Sequence, residues 1–172
     1  MPNITKHFTM EAMTYSARAK KLGIDNTPPI HLSPNAVRLC TELENQRAIL
    51  AERFGEEIPM HENSGYRSEA LNKAVGGSGS KAGQKPSAHM DFRALDWTPG
   101  NAADIKQCFN AIRFAGPEKA PGLDKIILEH NKETGGWWIH SQVAKDGQAP
   151  KRQAFIAEVK DGNAVYTPVE CH

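Results

Sequence analysis

Two histidines and one aspartate are the residues of this chain whose types and spacing most suggest chemistry. His89 and Asp96 lie in the segment SAHMDFRALD, residues 87–96, and His140 ends the segment WWIH, residues 137–140. Two imidazoles and one carboxylate form a set of three protein ligands for a catalytic zinc ion, which keeps its fourth position for water. Metal-bound water becomes a nucleophile near neutral pH. The three residues therefore suggest a hydrolytic metal centre, although their spacing alone is a weak motif.

The spacing places a structural demand on the chain between the first two residues. His89 and Asp96 are an odd number of positions apart, so on one uninterrupted strand they would face opposite sides of a sheet. They can share a metal only if the chain bends between them, most simply at Met90-Asp91. We expect His140 to come from a neighbouring strand and to share its face with Trp138, while residues 137 and 139 pack on the other face.

Helix signals dominate the first part of the sequence. Thr9 is a suitable N-cap for a helix through Leu22, and Gly23 follows its end. Ser33, with Pro34 at the first position, is predicted to cap a longer helix that ends at Gly55. Its core face is predicted to consist of Val37, Cys40, Leu43, Leu50 and Phe54. Residues 68–75 predict a short helix capped by Ser68, and a further helix is predicted to be capped by Asn101, with Asp104 in its first turn.

Strand signals follow mainly in the second part. Residues 92–97, 125–128 and 137–143 read as strands, residues 76–86 as a loop, and residues 154–167 as a hairpin that turns at Asp161-Gly162. Without a regular alternation of strands and helices, this order predicts an α+β domain with a mainly antiparallel sheet, onto which the N-terminal helices pack. We expect one domain over residues 1–172, with a core at about 7–143 and a C-terminal hairpin extension at about 150–170.

Composition narrows the class of protein. The chain has 172 residues, of which 39% are hydrophobic and 24% charged, with a net charge of +1. This balance fits a globular domain and does not suggest binding to nucleic acid. The three cysteines are widely spaced and give neither a CxxC metal motif nor a disulfide framework. No apolar run is long enough to span a membrane, and no secretory signal is visible, so we expect synthesis in the cytoplasm and no membrane insertion.

A series of short motifs in one order resembles the zinc D-alanyl-D-alanine carboxypeptidase family. The motifs are SGYRS (64–68), ALN (70–72), VGGS (75–78), SAH (87–89), ALD (94–96) and WIH (138–140). Residues 8–9 and 24–29 also resemble the N-terminal part of a phage-type subgroup of peptidoglycan peptidases. The resemblance covers roughly residues 7–143. It implies a fold like that of hedgehog and DD-peptidase domains.

The resemblance also implies roles for individual residues. His89, Asp96 and His140 correspond to the zinc ligands of the family. Arg67 matches the arginine that contacts substrate and steadies negative charge in the transition state, which suits a guanidinium. Ser87 matches a serine that helps to hold substrate, although it could equally be a turn residue. The rings of Tyr66 and Trp138 are candidate walls of the substrate groove, and both are equally suitable core residues.

The general base is a separate question, because a water-activating carboxylate must lie beside the metal without binding it. Some members of the wider family have an acid three residues before the last histidine, where this chain has Trp137. Glu129 matches the glutamate that follows an apolar strand in the phage-type pattern, and it is the preferred candidate. Glu133 is closer in sequence to His140 but lies in a polar turn. His130 could either donate a hydrogen bond in the site or be exposed.

Two departures from the family pattern concern the surroundings of the site. The pattern usually has glycine where this chain has Phe92, and a large ring there could reshape the strand or narrow the pocket. Residues 79–85 make a long turn, which is either a flexible lip over the site or a tolerated insertion.

The function implied is zinc-dependent hydrolysis of the stem peptide or cross-bridge of peptidoglycan. The phage-type resemblance and the absence of a signal favour a cell-wall-lytic endopeptidase that acts as a monomer on the bacterial cell wall after release. The alternatives are a D-alanyl-D-alanine carboxypeptidase and a non-catalytic wall-binding or virion module of the same fold. A purely structural zinc site is a further alternative, with His61 or His130 as a fourth ligand.

Overall fold

Six strands form one sheet in the order β1-β2-β4-β3-β5-β6. In the computed structural model, which describes residues 3–172, the strands are β1 (Met60–Ser64), β2 (Ala94–Pro99), β3 (Leu123–Asn131), β4 (Trp137–Val143), β5 (Gln153–Lys160) and β6 (Asn163–Val169). The helices are α1 (Met10–Thr14), α2 (Ala17–Leu22), α3 (Ser33–Phe54), α4 (Glu69–Ala74) and α5 (Ile105–Arg113), and a short 3-10 helix, Ile30–Leu32, precedes α3. The predicted α+β class is confirmed.

Neighbouring strands are antiparallel at every pairing but one. β3 pairs with β5 in parallel, so that Glu129 lies beside Ala157. The other pairings, β1·β2, β2·β4, β3·β4 and β5·β6, are antiparallel. The sheet is therefore mainly antiparallel, as predicted, and the C-terminal hairpin is part of it, because β5 pairs directly with β3.

One hydrophobic core joins helices and strands. Leu43 and Leu50 of α3, Phe109 and Ile112 of α5, and alternate strand residues such as Leu95 and Ile139 are all buried in the same cluster. The alternation along the strands leaves the intervening residues on the opposite face of the sheet. That second face carries the candidate site.

The first predicted helix is divided into two, so the prediction of one helix from Thr9 to Leu22 is wrong. Thr9 caps α1 as expected, but Tyr15 adopts an extended conformation, and the Ser16 side chain accepts a hydrogen bond from the Ala19 backbone N–H. A serine offers the backbone this alternative to continuing the helix. Gly23 ends α2 in a left-handed conformation with φ of 65°, as predicted.

Two details of the long helix also differ from the prediction. Ser33 lies inside α3 and does not cap it, because the 3-10 helix runs directly into α3 and puts Leu32 at the N-cap. Val37 is 50% exposed and is not a core residue. The buried face is instead formed by Ala36, Leu39, Cys40, Leu43, Ile49 and Leu50.

Other element boundaries in the structure differ by a few residues from the predicted ones, and one strand was not predicted. Asp104, not Asn101, caps α5 by accepting a hydrogen bond from the Gln107 N–H. β2 begins at Ala94 rather than at Phe92, and β1 was not predicted at all. The Ser68 cap of α4, strand β4 and the C-terminal hairpin are confirmed.

Candidate metal centre and active site

A tight turn just before β2 brings His89 towards the sheet. The Phe92 N–H donates to the carbonyl of His89 at 3.2 Å, and the Arg93 N–H donates to the carbonyl of Ala88 at 3.0 Å. The chain reverses within this turn, which contains the predicted bend at Met90-Asp91. The structural demand set by the odd spacing of His89 and Asp96 is therefore met.

Phe92 occupies the position of this turn that suits glycine. Its φ is 57°, in the left-handed region that non-glycine residues rarely adopt. The conformation explains why a glycine is usual here in the family pattern. The Phe92 ring is fully buried, with its centroid 5.5 Å from that of Tyr66, so it fills the core and does not narrow the site.

The strand register places Asp96 and His140 side by side. Asp96 of β2 pairs with His140 of β4, and His140 in turn pairs with Ile127 of β3. Paired residues share a face of the sheet, so both side chains point away from the core, which Ile139 enters from the other face. This arrangement of β4 agrees with the predicted one.

The three side chains converge on one point. His140 Nδ1 lies 2.8 Å from Asp96 Oδ1, and His89 Nε2 lies 3.3 Å from Asp96 Oδ2. One ligand atom from each residue lies within 4.8 Å of the others. Only 3% of His89 and 9% of His140 are exposed. The residues come from two strands and the turn before one of them, and they could hold a metal ion together.

The outer nitrogens of both imidazoles are engaged by the protein. His89 Nδ1 lies 2.8 Å from the carbonyl oxygen of Gly65, and His140 Nε2 lies 3.3 Å from Gln142 Oε1. Each acceptor holds a proton on the outer nitrogen, so the inner nitrogen, Nε2 of His89 or Nδ1 of His140, is the one that can bind a metal once it has lost its own proton. The donor set and its orientation fit zinc.

A polar chain continues from His140 away from the centre. The Gln142 amide donates to Asp124 Oδ2 at 3.0 Å, and Asp124 Oδ1 accepts from the backbone N–H of Lys151 at 2.9 Å. Asp124 is buried. This chain fixes the orientation of Gln142, and sequence reasoning missed it because no local pattern announces such a contact.

The charges of the three residues are strongly linked. Burial alone would raise the pKa of Asp96, but the nearby His89 and the hydrogen bond from His140 hold it well below its ordinary value. Burial lowers the pKa of His89. Burial also acts to lower the pKa of His140, yet the hydrogen bond and the charge of Asp96 outweigh it and raise this pKa. The centre thus keeps an ionised carboxylate, the form that binds a cation.

Arg67 lies directly beside the metal-ligating group. Its Nη2 is 3.1 Å from Asp96 Oδ2, its Nε donates to Ser64 Oγ at 2.9 Å, and its Nη1 lies 3.4 Å from Asn72 Oδ1. Three partners hold the guanidinium in one orientation. Arg67 also lines a groove of about 470 Å³, whose other walls come from the junction between α1 and α2 and from α2, β1 and α4.

Glu129 lies on the same face of the sheet as His140. It pairs with Trp138, two residues before His140 on β4. Burial and the negative charge of Asp96 raise its pKa to about 7, although His140 and Arg67 oppose the shift. Glu129 is thus a carboxylate near the metal ligands but outside their group.

The other candidates for the general base and for a fourth metal ligand lie outside the metal-ligating group. Glu133 is exposed in the turn after β3, where its carboxylate accepts from the N–H of Asp161. His130 points to the opposite face, where its ring stacks on Trp137 with centroids 4.0 Å apart. Neither His130 nor His61 belongs to the metal-ligating group.

The three candidate substrate residues occupy different environments. Trp138 is partly exposed on the face of the site. Ser87 is 7% exposed, and its hydroxyl accepts from the His89 backbone N–H, a turn contact. Tyr66 is 6% exposed and its ring packs in the core against Phe92. The contacts of Ser87 and Tyr66 are those of the packing and turn roles that the sequence had left open, and contact of these residues with a substrate stays a prediction.

The comparison with protein families gives one match. A family model described as Peptidase M15 matches residues 6–136, which include Arg67, His89, Asp96 and Glu129. No curated protein matches the chain. Among the helices of residues 3–172, none has the length and apolar character that crossing a membrane requires.

Proposed function

The chain belongs to the peptidase M15 family of zinc-dependent peptidases, and from this membership we propose that it is a cell-wall-lytic endopeptidase that hydrolyses peptide bonds of peptidoglycan. The observation that carries the proposal is the convergence of His89, Asp96 and His140, with the separate carboxylate of Glu129 on the same face of the sheet. A metal-ligating set with a free base beside it is what amide hydrolysis requires.

His89 Nε2, the Asp96 carboxylate and His140 Nδ1 would hold the zinc ion. Bound there, zinc would polarise the scissile carbonyl and acidify water. The hydrogen bonds to Gly65 and Gln142 keep the two imidazoles in the required tautomers. Three protein ligands leave a position for solvent or substrate.

Glu129 is proposed as the general base. Its ionised form takes a proton from the attacking water, and its protonated form passes that proton to the leaving amine. Burial raises its pKa to about 7 in the metal-free protein, and Glu129 lies outside the metal-ligating group, where a carboxylate can accept and donate a proton.

Arg67 is proposed to stabilise the negative charge that develops on the carbonyl oxygen. Its guanidinium is preorganised by Ser64 and Asn72 and lies 3.1 Å from Asp96. A fixed cation in a site that is shielded from water stabilises a developing oxyanion without reorganisation.

Peptidoglycan is proposed as the substrate from the resemblance of the motifs to the family of D-alanyl-D-alanine carboxypeptidases and phage-type peptidases. An endopeptidase needs room for substrate on both sides of the scissile bond. The groove beside Arg67 offers one side, and the exposed part of Trp138 marks the other.

Digestion of purified peptidoglycan tests the proposal. We expect the zinc-loaded protein to release soluble peptides whose masses show cleavage within the cross-linked peptide. Glu129→Gln should bind zinc and release none, while Glu133→Gln, a matched change at an exposed turn, should act like the wild type. Loss of only a terminal residue would identify a carboxypeptidase instead, and binding to cell walls without release would identify a non-catalytic module.

A further inference from the structure

The C-terminal hairpin β5–β6 lies beyond the matched family segment, which ends at residue 136, yet it extends the face of the sheet that carries the site. Its position is set by the parallel pairing of β5 with β3, the strand that carries Glu129.

The register aligns one residue of the hairpin with the proposed base. Trp138 pairs with Glu129, Glu129 with Ala157, and Ala157 with Tyr166. Because paired residues share a face of a sheet, these four side chains form a row across β4, β3, β5 and β6. With adjacent strands about 4.8 Å apart, the backbone of Tyr166 lies roughly 10 Å from that of Glu129.

Along this row, only the methyl side chain of Ala157 lies between the side chains of Glu129 and Tyr166. Ala157 is fully buried, so larger neighbours close over it. Tyr166 is 52% exposed, and its ring meets that of Phe155 edge-on, with centroids 6.3 Å apart and an angle of 87° between the planes. Phe155 pairs with Ile127 in the row of His140, which places both aromatic rings on the face of the site.

The electrostatics of the phenol agree with this placement. Burial raises the pKa of Tyr166, and the negative charges of Glu129 and Asp96 raise it further. Charge effects of this kind fall off with distance, so the phenol lies within electrostatic reach of both carboxylates.

We infer that the hairpin forms the wall of the substrate groove on the side of Glu129, and that Tyr166 contacts the peptide of the substrate there. The inference rests on the proposed function and deepens it. The substrate peptide would then run across the strands, from the groove beside Arg67, past the metal ligands, to the ring of Tyr166. The exposed phenol offers both an apolar face and a hydrogen-bonding group to a peptide.

Two measurements on a soluble cross-linked muropeptide dimer test this inference. The first is the KM for its hydrolysis by the zinc-loaded protein, and the second is its Kd for zinc-loaded Glu129→Gln protein by calorimetry. Tyr166→Ala should raise both constants about tenfold, and Tyr166→Phe, which keeps the ring and cannot disturb packing, should raise them two- to threefold. Zinc affinity should stay at the wild-type value in both variants, and the melting temperature should stay at the wild-type value in Tyr166→Phe.

Val165→Ala is the matched control. Val165 is the neighbouring residue, is 68% exposed and faces the opposite side of the sheet, so this change should alter neither constant. The inference is overturned if Tyr166→Ala leaves Kd within twofold of the parent value, if Val165→Ala weakens binding equally, or if zinc affinity falls in parallel. If muropeptide binding depends on Tyr166 but the wild type shows no hydrolysis, the proposed enzyme activity is contradicted and the substrate contact is upheld. If the muropeptide does not bind at all, the proposed activity and the Tyr166 contact are both overturned.

Discussion

The carboxylate of Asp96 contacts both histidines of the metal-ligating group and Arg67. One of its oxygens faces His140 Nδ1 at 2.8 Å, and the other lies between His89 Nε2 and Arg67 Nη2. Two imidazoles and a guanidinium around one carboxylate keep it ionised, and an ionised carboxylate flanked by two imidazole nitrogens is suited to bind a cation. The same contacts hold Arg67 beside the candidate metal ligands, as its proposed role in stabilising the oxyanion requires.

The raised pKa of Glu129 lowers the unfolding free energy of the protein as the pH rises, and a substitution should reveal this effect. Its pKa is about 7 in the folded chain against an ordinary value of 4.5, so between these pH values the folded state holds a proton that the unfolded state releases. The stability of the metal-free wild type therefore falls as the pH rises through this window. Relative to wild type, Glu129→Gln should gain about 2 kcal/mol of unfolding free energy between pH 5 and pH 8.

Urea unfolding in the presence of a chelator measures this gain. Glu133→Gln, at an exposed position, should show no pH-dependent gain. The raised pKa would be contradicted if the unfolding free energy of Glu129→Gln minus that of the wild type stays constant, or falls, from pH 5 to pH 8.

Gln142 should control how tightly zinc is held although it does not touch the ion. It accepts from His140 Nε2 and is itself anchored to Asp124, so it orients the imidazole. Loss of such an outer partner typically lowers metal affinity 10- to 100-fold. We expect this loss for Gln142→Leu in a competition titration with a chromophoric chelator, and no change for Gln153→Leu, the same substitution at an exposed position of β5. Equal affinities for the two variants would remove this role.

Sequence reasoning reached some of these residues and missed others for a physical reason. His89, Asp96 and His140 are recognisable because few residue types bind zinc and their order matches a family. Gln142 and Tyr166 are ordinary strand residues by sequence. The register of β4 with β3 brings Asp124 to Gln142, and the registers of β5 with β3 and of β6 with β5 place Tyr166 in the row of Glu129. Register depends on pairing between distant segments, which a single sequence does not display.

At the scale of elements, the turn between His89 and β2 is what makes the metal-ligating group possible. On one straight strand the odd spacing of His89 and Asp96 would put them on opposite faces, and the turn brings the two side chains together on one face. The turn requires a left-handed residue, which is Phe92 here, and the buried ring compensates for the backbone conformation by filling the core.

Two substitutions at Phe92 separate these effects. Either change removes a fully buried ring and should cost about 3 kcal/mol or more of unfolding free energy. Glycine should be the less harmful by about 1 kcal/mol, because it adopts positive φ without strain, whereas alanine does not. Urea unfolding of Phe92→Gly and Phe92→Ala gives the order. At ordinary positions glycine is the more destabilising of the two, so finding that order here would contradict the strain at Phe92.

Elements with local signals were predicted well. The helix ends at Gly23 and Gly55 and the cap at Ser68 depend on residues next to them, and these predictions are confirmed. β1 was missed because the segment MHENS, residues 60–64, is an edge strand of mostly polar residues without an apolar alternation. The parallel pairing of β3 with β5 likewise has no signal in either strand alone.

At the scale of the whole molecule, the sheet brings together the site residues from segments that are distant in sequence. Arg67 follows β1, His89 precedes β2, Glu129 lies in β3 and His140 lies in β4, while the last hairpin extends the same face. The opposite face is closed by the core that α3 and α5 share with the strands. Burial of one face thus fixes the register that assembles the chemistry on the other.

The central claim is that His89, Asp96 and His140 hold one catalytic zinc ion, and anomalous diffraction at the zinc edge from crystals of the zinc-loaded protein tests it most directly. We expect one peak at about 2.0–2.2 Å from His89 Nε2, an Asp96 carboxylate oxygen and His140 Nδ1, with solvent in the remaining position. A peak elsewhere, a fourth protein ligand that closes the site, or no peak at these residues would contradict the account.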